Sequence, residues 1–374
     1  MEQEPQEQPV PSVQPEQPAQ PESRHEPVVF SGTGAEYFRI WIVNLCLSII
    51  TLGIYSAWAK VRRLKYFYQH TSVAGANFDF HGNPLAILKG RIIAVILFGL
   101  YAAAGEAYRI HPILLLLGPL IFLLIMSIMP WLVVRSLRFR LGNTSHRGLR
   151  FSFHGKTGEA YIYFMLMPLA SVFTMYLLWP LAKQLICKYV ATNSEYGNER
   201  FGFHAGAGDF YPPYLIAFAG FIGIMVLAII LMAIILGIGV GLGGSDSPMA
   251  AVASVMAVVV IFAGYIGGLL LIYPFLTARL QNIIWSNTTV GPVAFESHVR
   301  ARRLAWIMFS NIALILVTFG LYKPFADIRF ARYRLESGTM LVHGDIDQFV
   351  AGAQTTAGAA GEEIADIFDF DISL

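Results

Sequence analysis

The stretch TLGIYSAWAKVRRLKYFYQHT, residues 51–71, decides how this chain folds. It leaves an apolar run, breaks at Gly53, passes Tyr55 and Trp58, and ends in a basic, aromatic patch. Read alone, it fits the inner end of a membrane helix, a nucleic-acid patch, or one copy of something the chain uses more than once. The last reading can be tested within the sequence. Sliding the chain by 123 residues without a gap aligns Phe30, Gly32, Glu36, Ser48, Thr51, Ala59, Lys60, Lys65, Tyr66, Phe78, Phe80 and His81 with identical residues from Phe153 to His204. At an offset of 267, Thr51, Gly53, Tyr55, Ala59, Arg62 and Tyr66 recur as Thr318, Gly320, Tyr322, Ala326, Arg329 and Tyr333, and Asn44 as Asn311. Identity at a fixed offset is the mark of an internal repeat. The copies lie near 37–68, 160–190 and 303–334.

Composition sets the class. Of the 374 residues 56% are apolar and 13% charged, too apolar a mixture for one soluble core. We read an all-α polytopic membrane protein whose internal repeats are helix-break-helix elements joined by short cytoplasmic β-hairpins. Apolar runs long enough to cross a hydrocarbon layer of roughly 30 Å lie near 92–108, 113–134, 214–241 and 249–277. Residues 1–27 hold six Glu, six Gln and seven Pro, the composition of a disordered tail rather than a signal peptide. Residues 346–374 form an acidic C-terminal tail, and 28–345 the repeat-built membrane domain.

The formal charge of +2 hides a gradient. Residues 1–27 carry one basic and six acidic groups and residues 345–374 none and seven, which leaves the body at +14. Its basic residues crowd into 60–91, 135–156, 183–200 and 279–334, and Lys and Arg in short loops stay cytoplasmic. Those segments and both tails are therefore expected inside. A smaller unit also recurs: Thr71, Thr144, Ser194 and Thr288 each stand seven residues before Phe78, Phe151, Phe201 and Phe295, with a turn residue between. Alternation around a glycine predicts a β-hairpin. A helix start follows it: Thr33 with Glu36, Asn83 with Pro84, Asp209 before Pro212, and Ser297 before the third copy.

Full crossing by the repeated segments would send Lys183 and Lys188 outside, against the charge pattern. Each copy also contains a break: Gly53, Pro168 with Pro180, and Gly320 with Pro324. The repeats are therefore expected to dip into the cytoplasmic leaflet and return, with Gly53 and Gly320 as the breaks.

The texts YFRIWIVNLCLSIITLGIYSAWAKVRRLKYFY, FDFHGNP and LKGR resemble the YjgN-like bacterial inner-membrane proteins, a family defined as a domain of unknown function. The resemblance covers roughly residues 28–345 and implies a multi-pass inner-membrane location. It carries over no catalytic residue.

The chemical candidates are few. Phosphate-loop, HExxH and GxSxG motifs are absent, and no enzyme is expected. His81, His154, His204 and His343 could meet as a metal site, but a polar residue at a hairpin end is the plainer reading, and no metal or cofactor is assigned. Cys46 and Cys187 lack CxxC spacing and read as small apolar residues. Glu36 and Glu159 share a position at a helix start, as helix-end charges or as proton-coupling carboxylates. Asn44 and Asn311 sit in apolar segments, where amides seek interhelical partners. Gly237, Gly239, Gly241, Gly243, Gly264 and Gly268 offer small-residue spacing for close packing. Arg62, Arg63, Lys65, Arg135, Arg138, Arg140, Arg329, Arg332 and Arg334 recur at inner helix ends and are expected to meet anionic lipid headgroups, not nucleic acid. Repeats, broken helices and in-membrane polar groups favour a transporter or channel-like protein for a small solute or lipid. The alternative is a non-catalytic membrane scaffold or lipid-interacting organiser with a cytoplasmic hairpin surface.

Overall fold

The computed structural model describes residues 24–107, 111 and 116–344. Residues 1–23, 345–374 and most of 108–115 lie outside the described residues, and with them the bulk of both tails and Arg109. The helices come in five pairs that each leave one end of the molecule and return to it. The first is α1 (Gly34–Ile50) with α2 (Ser56–Gln69), and the second α3 (Pro84–Ala107) with α4 (Leu117–Gly142). In the third, α5 (Thr157–Tyr161) runs through a π-helical turn (Ile162–Leu166) into α6 (Met167–Phe173), then α7 (Trp179–Thr192). The fourth is α8 (Ala207–Gly243) with α9 (Pro248–Ser286), and the fifth α10 (Ala301–Val317) with α11 (Lys323–Glu336).

Two lengths result. The helices α3, α4, α8 and α9 are long and apolar enough to cross a membrane, and in α3 no residue of the apolar window is buried. This is a helical membrane protein. The other three pairs are short, 17 residues in α1 and α10 and 14 in α2, α7 and α11. A 17-residue helix is about 26 Å long, against about 55 Å for the 37 residues of α8.

Between the helices lie β1 (Arg24–Pro27), β2 (Val29–Phe30), β3 (Thr71–Val73), β4 (Ala76–Phe80), β5 (Thr144–His146), β6 (Leu149–Phe153), β7 (Ser194–Tyr196), β8 (Glu199–Phe203), β9 (Thr288–Val290), β10 (Val293–Ser297) and β11 (Gly338–Val342). The hairpins are not separate, as the sequence suggested. They form one 11-stranded antiparallel sheet, because a five-residue strand is shared between two partners. In β4, Ala76 and Asn77 pair with β3, while Phe78, Asp79 and Phe80 pair with β5. The register repeats around the sheet: Phe30 faces Thr71, Phe80 faces Thr144, Phe153 faces Ser194, Phe203 faces Thr288, and Ser297 faces Gly338.

The edge strands β1 and β2 are consecutive pieces of one segment, parted only by Val28, whose N–H donates to Gly338 O at 3.1 Å. The sheet thus closes on itself, and among the described residues no edge is left to recruit another strand. Residues 24–27, assigned above to the disordered tail, are the strand that completes the ring with β11. Apolar side chains contributed from around the ring pack into one cluster: Val28, Val73, Leu149, Tyr196, Val290, Val293, Met340 and Val342. Phe78, Phe151 and Phe201 stack beside it at 6.3 Å between neighbouring rings.

Five matching bonds hold ring to helices. Each strand exit donates an N–H to the carbonyl that ends a neighbouring helix: Ser31 to His70, His81 to Asn143, His154 to Asn193, His204 to Asn287, and His298 to Ser337, all at 2.8–2.9 Å. The position that sequence assigned to His343 belongs to His298. The imidazoles are spread around the ring, each on its own partner, with His81 Nε2 2.8 Å from Ser145 Oγ and His204 Nε2 3.1 Å from Thr289 Oγ1.

Candidate functional site

The three short pairs end in the same turn. Thr51 N–H donates to Leu47 O, and Gly53 N–H reaches back to Ser48 O at 2.7 Å. Thr174 repeats this with Ala170, and Tyr176 with Ser171 at 2.6 Å; Thr318 repeats it with Leu314, and Gly320 with Ile315 at 2.8 Å. A bond spanning five residues closes a helix end and turns the chain. The threonine finishes the job with its hydroxyl. Thr51 Oγ1 donates to Leu47 O at 2.7 Å and accepts Tyr55 N–H at 2.9 Å, which satisfies both sides of the break. Thr318 does the same with Leu314 O and Tyr322 N–H, and Thr174 with Ala170 O and Leu178 N–H. Both sides of the break thus find hydrogen-bond partners within the protein.

At the apex stand Leu52, Met175 and Phe319, with φ of +50°, +50° and +49°. Side chains resist this left-handed conformation, which glycine accepts. They are also 95%, 91% and 96% exposed. A large apolar residue that is strained and touches no protein is explained if it enters an apolar phase. Gly53 and Gly320 follow at +89° and +92°, as the sequence suggested, with open space where a Cβ would stand. The second copy corrects the sequence reading. Pro168 and Pro180 do not make its break; Tyr176 takes the glycine's place at +64°. Pro180 instead opens α7 and Pro168 lies in the first turn of α6.

The other candidates sort by contact. Thr33 caps α1 by accepting Glu36 N–H at 3.4 Å, but the Glu36 carboxylate does not close a capping box. It accepts from Tyr66 Oη at 3.2 Å, and that hydroxyl takes Thr33 N–H at 2.8 Å. Tyr333 meets Arg300 N–H at 2.9 Å and Tyr189 donates to Lys156 O at 2.9 Å, so a tyrosine clips the start of each short pair. The sequence aligned these tyrosines and placed Tyr66 in the basic, aromatic patch of the membrane interface, whereas its side chain is buried. Glu159 lies in the first turn of α5, where Lys156 is the cap residue. Arg300, not Ser297, occupies the cap of α10; Ser297 ends β10 and donates to Asn282 Oδ1 at 3.0 Å. Asn311 ties α10 to α11 through Ala326 O at 3.2 Å and accepts from Arg329 at 3.3 Å. Asn44 is buried, and its Oδ1 has no hydrogen-bond partner among the described residues.

The basic set divides. Arg138 donates to Gly155 O at 3.0 Å, Arg332 to Gly32 O at 2.7 Å, and Arg334 to Gln281 Oε1 at 2.6 Å, so these hold the fold. Arg329 serves Ser310 and Asn311, and Arg63 faces Asp327 at 3.5 Å, which also takes Lys323 at 3.1 Å. Arg62, Lys65, Arg135 and Arg140 are exposed, and so are Arg63, Arg138 and Arg332 despite these bonds. Arg62 lies 5.8 Å from the centre of the Tyr55 ring and Arg135 5.2 Å from that of Trp131. Arg91 of α3 donates to Ser56 Oγ, tying the first short pair to a long one.

Among the glycines of the long pair, three make the contact. Gly239 faces Ala253, an added Cβ at Gly264 would lie 2.7 Å from Ala228 Cβ, and one at Gly268 would lie 2.8 Å from the Phe221 ring. Gly237 and Gly241 face open space, and Gly243 faces Ser247 in the turn. Within the ring, burial pushes His146 below its ordinary pKa and raises Tyr196 to about 12.

The family model described as "Bacterial protein of unknown function (DUF898)" matches residues 25–367. "Inner membrane protein YjgN" of Salmonella typhimurium (strain LT2) is 28% identical over 156 residues, 42% of this chain and 38% of that protein. The protein of the same name from Escherichia coli (strain K12) is 33% identical over 126 residues, 34% of this chain and 30% of that protein. The match thus spans 38% and 30% of the length of these relatives. No solved structure shows significant similarity to the chain.

Proposed function

We propose, for a chain that belongs to the DUF898 family of bacterial proteins, that it is a non-catalytic membrane platform. A closed ring of hairpins rides on the cytoplasmic face of the inner membrane, with both tails on that side. Two long helical pairs span the bilayer, and three short pairs enter one leaflet and return. The names of the relatives support the inner membrane, and the charge pattern supports the orientation. The observation that carries the reading is the trio Leu52, Met175 and Phe319, apolar, almost fully exposed and left-handed at matching apices. From Arg39 to Ile50 is about 16 Å of helix, half of a hydrocarbon layer of roughly 30 Å. Lys323, near the third apex, is paired with Asp327 and so does not enter as a bare charge. The three copies act as equivalent wedges of one internal repeat. Arg62, Lys65, Arg135 and Arg140 meet anionic headgroups.

A transporter or channel is the second reading, and the orphaned Asn44 amide oxygen speaks for it. The platform is favoured because apolar side chains fill the ring interior and the long helices carry no charged group between Asp209 and Arg279 except Asp246 in their turn. A solute path needs polar lining at depth.

The test uses full-length protein in liposomes, with Cys46 and Cys187 replaced by Ala. A fluorophore is placed through Leu52→Cys, Met175→Cys or Phe319→Cys, with Asn77→Cys on the ring as control. The apex probes are expected to be quenched by lipids brominated on the acyl chain and shielded from aqueous iodide, and the ring probe the reverse. Apex probes open to iodide and indifferent to brominated lipid would sink the reading.

A further inference from the structure

We infer that this chain partitions by membrane curvature, concentrating where the leaflet on its ring side is convex. The inference rests on the platform reading and extends it to the shape of the bilayer that binds. Its ground is a count of helices at two depths. At the depth of the short pairs, all five pairs cross, ten helical rungs in all, with α5 and α6 forming one rung. Beyond the apices of Leu52, Met175 and Phe319 only α3, α4, α8 and α9 continue. Six rungs are thus present in one leaflet and missing from the other. With helices about 10 Å across, the difference in cross-section is on the order of 500 Å².

The asymmetry is built in rather than accidental. The pairs stand in a closed circuit in the order short, long, short, long, short, since α2 packs on α3, α4 on α5, α7 on α8 and α9 on α10, and α1 on α11 brings the first and last short pairs side by side. The wedges are therefore locked to the spanning pairs and cannot sink further or withdraw one at a time. Tyr66, Tyr189 and Tyr333 fix each short pair at its ring end, and Arg91 with Ser56 fixes the first to α3. A rigid body wider in one leaflet fits a bilayer whose lipids on that side are splayed, and apolar insertion into one leaflet depends on curvature for this reason. The ligand is the bilayer itself, and the recognised property is its local shape.

The experiment uses labelled full-length protein, fluorophore at Asn77→Cys in the background without Cys46 and Cys187, at low density in giant vesicles of phosphatidylcholine and phosphatidylglycerol. Thin tubes are drawn outward, and an impermeant quencher reports which molecules carry the ring outside. Ring-outside molecules are expected to be enriched on the tube about twofold or more over the parent vesicle, and ring-inside molecules depleted by a similar factor. A variant with Leu52→Asn, Met175→Asn and Phe319→Asn keeps a residue that accepts the left-handed turn while removing the apolar apex. Its ratio is expected to move toward one. The sign reversal between orientations needs only the unaltered chain, so the test survives if the variant folds poorly. Equal densities on tube and vesicle in both orientations, with apex probes still quenched by brominated lipid, would overturn the curvature inference and leave the platform standing. Apex probes that never meet the acyl chains would overturn both.

Discussion

At the scale of single residues, the short pairs carry strain and its remedy side by side. Tyr176 holds φ +64° where the other copies have Gly53 and Gly320. Tyr176→Gly should therefore raise stability in detergent by about 1 kcal/mol, the cost of left-handed backbone for a side chain. Thr318→Val keeps the shape and removes a hydroxyl bonded to Leu314 O and Tyr322 N–H, and should lower stability by about 1 kcal/mol. Thermal unfolding of the two variants checks both signs. A third residue acts in the ring. His146 lies buried against Phe78, with Nδ1 3.2 Å from Tyr196 Oη and Nε2 3.4 Å from Val73 O, while Arg147 stands beside it. Burial and then Arg147 depress its pKa, outweighing the bond to Val73 O, which raises it. Below pH of about 6.5 the unfolded chain takes up a proton that the folded ring refuses, so stability falls as pH drops from there toward the depressed value. His146→Val, the residue at the matching positions Val73 and Val290, should flatten that limb of the pH profile in a melting series from pH 8 to 5. An unchanged slope would assign the acid sensitivity elsewhere.

At the scale of elements, the fourth pair is a hairpin of two long helices whose outward faces are exposed almost everywhere. What joins α8 to α9 in an apolar medium is close approach, since hydrocarbon offers no hydrophobic drive between helices. Gly239 against Ala253 and Gly268 against Phe221 are the narrow points. Gly239→Leu should force the pair apart at a cost of about 1–3 kcal/mol, while Gly241→Leu, which faces open space, should cost far less. Crosslinking between cysteines placed across the pair separates the two outcomes. The sequence marked all these glycines alike because spacing alone does not say which way a helix is rotated. The apices tell a similar story. Thr51, Gly53, Thr318 and Gly320 were legible as recurring letters, but Tyr176 was not, because the turn is set by the five-residue bond and a tyrosine can be held in it.

At the scale of the whole molecule, the ring closes only when the two ends of the chain meet. Arg24 pairs with Val342 and Phe30 with Thr71, so the segment 24–30 is the last piece on both sides. Deleting residues 24–30 should leave β3 and β11 as open edges and yield aggregate rather than a monodisperse species in detergent. A permuted chain that joins Gly344 to Arg24 by a short turn and opens between Gly243 and Pro248 should fold, since it moves the break to an exposed turn and keeps every strand pair. Gel filtration of the two chains decides it.

The membrane class, the long helices, the hairpins and the breaks at Gly53 and Gly320 follow from composition and from letters that recur at 123 and 267 residues, because hydropathy and turn chemistry act locally. The clips by Tyr66, Tyr189 and Tyr333 had a signal too, in the aligned identities, though Tyr66 read there as an interface anchor. Only the tertiary structure decided that the hairpins are one closed sheet and that Phe30 ends its fifth unit. It also gave Arg138, Arg329, Arg332 and Arg334 hydrogen bonds within the protein, while Arg138 and Arg332 stay exposed. The physical reason is distance along the chain. Pairing of residues 24–27 with 339–342 joins positions that share no local pattern, and their backbone groups find partners only after every intervening pair has returned to the ring.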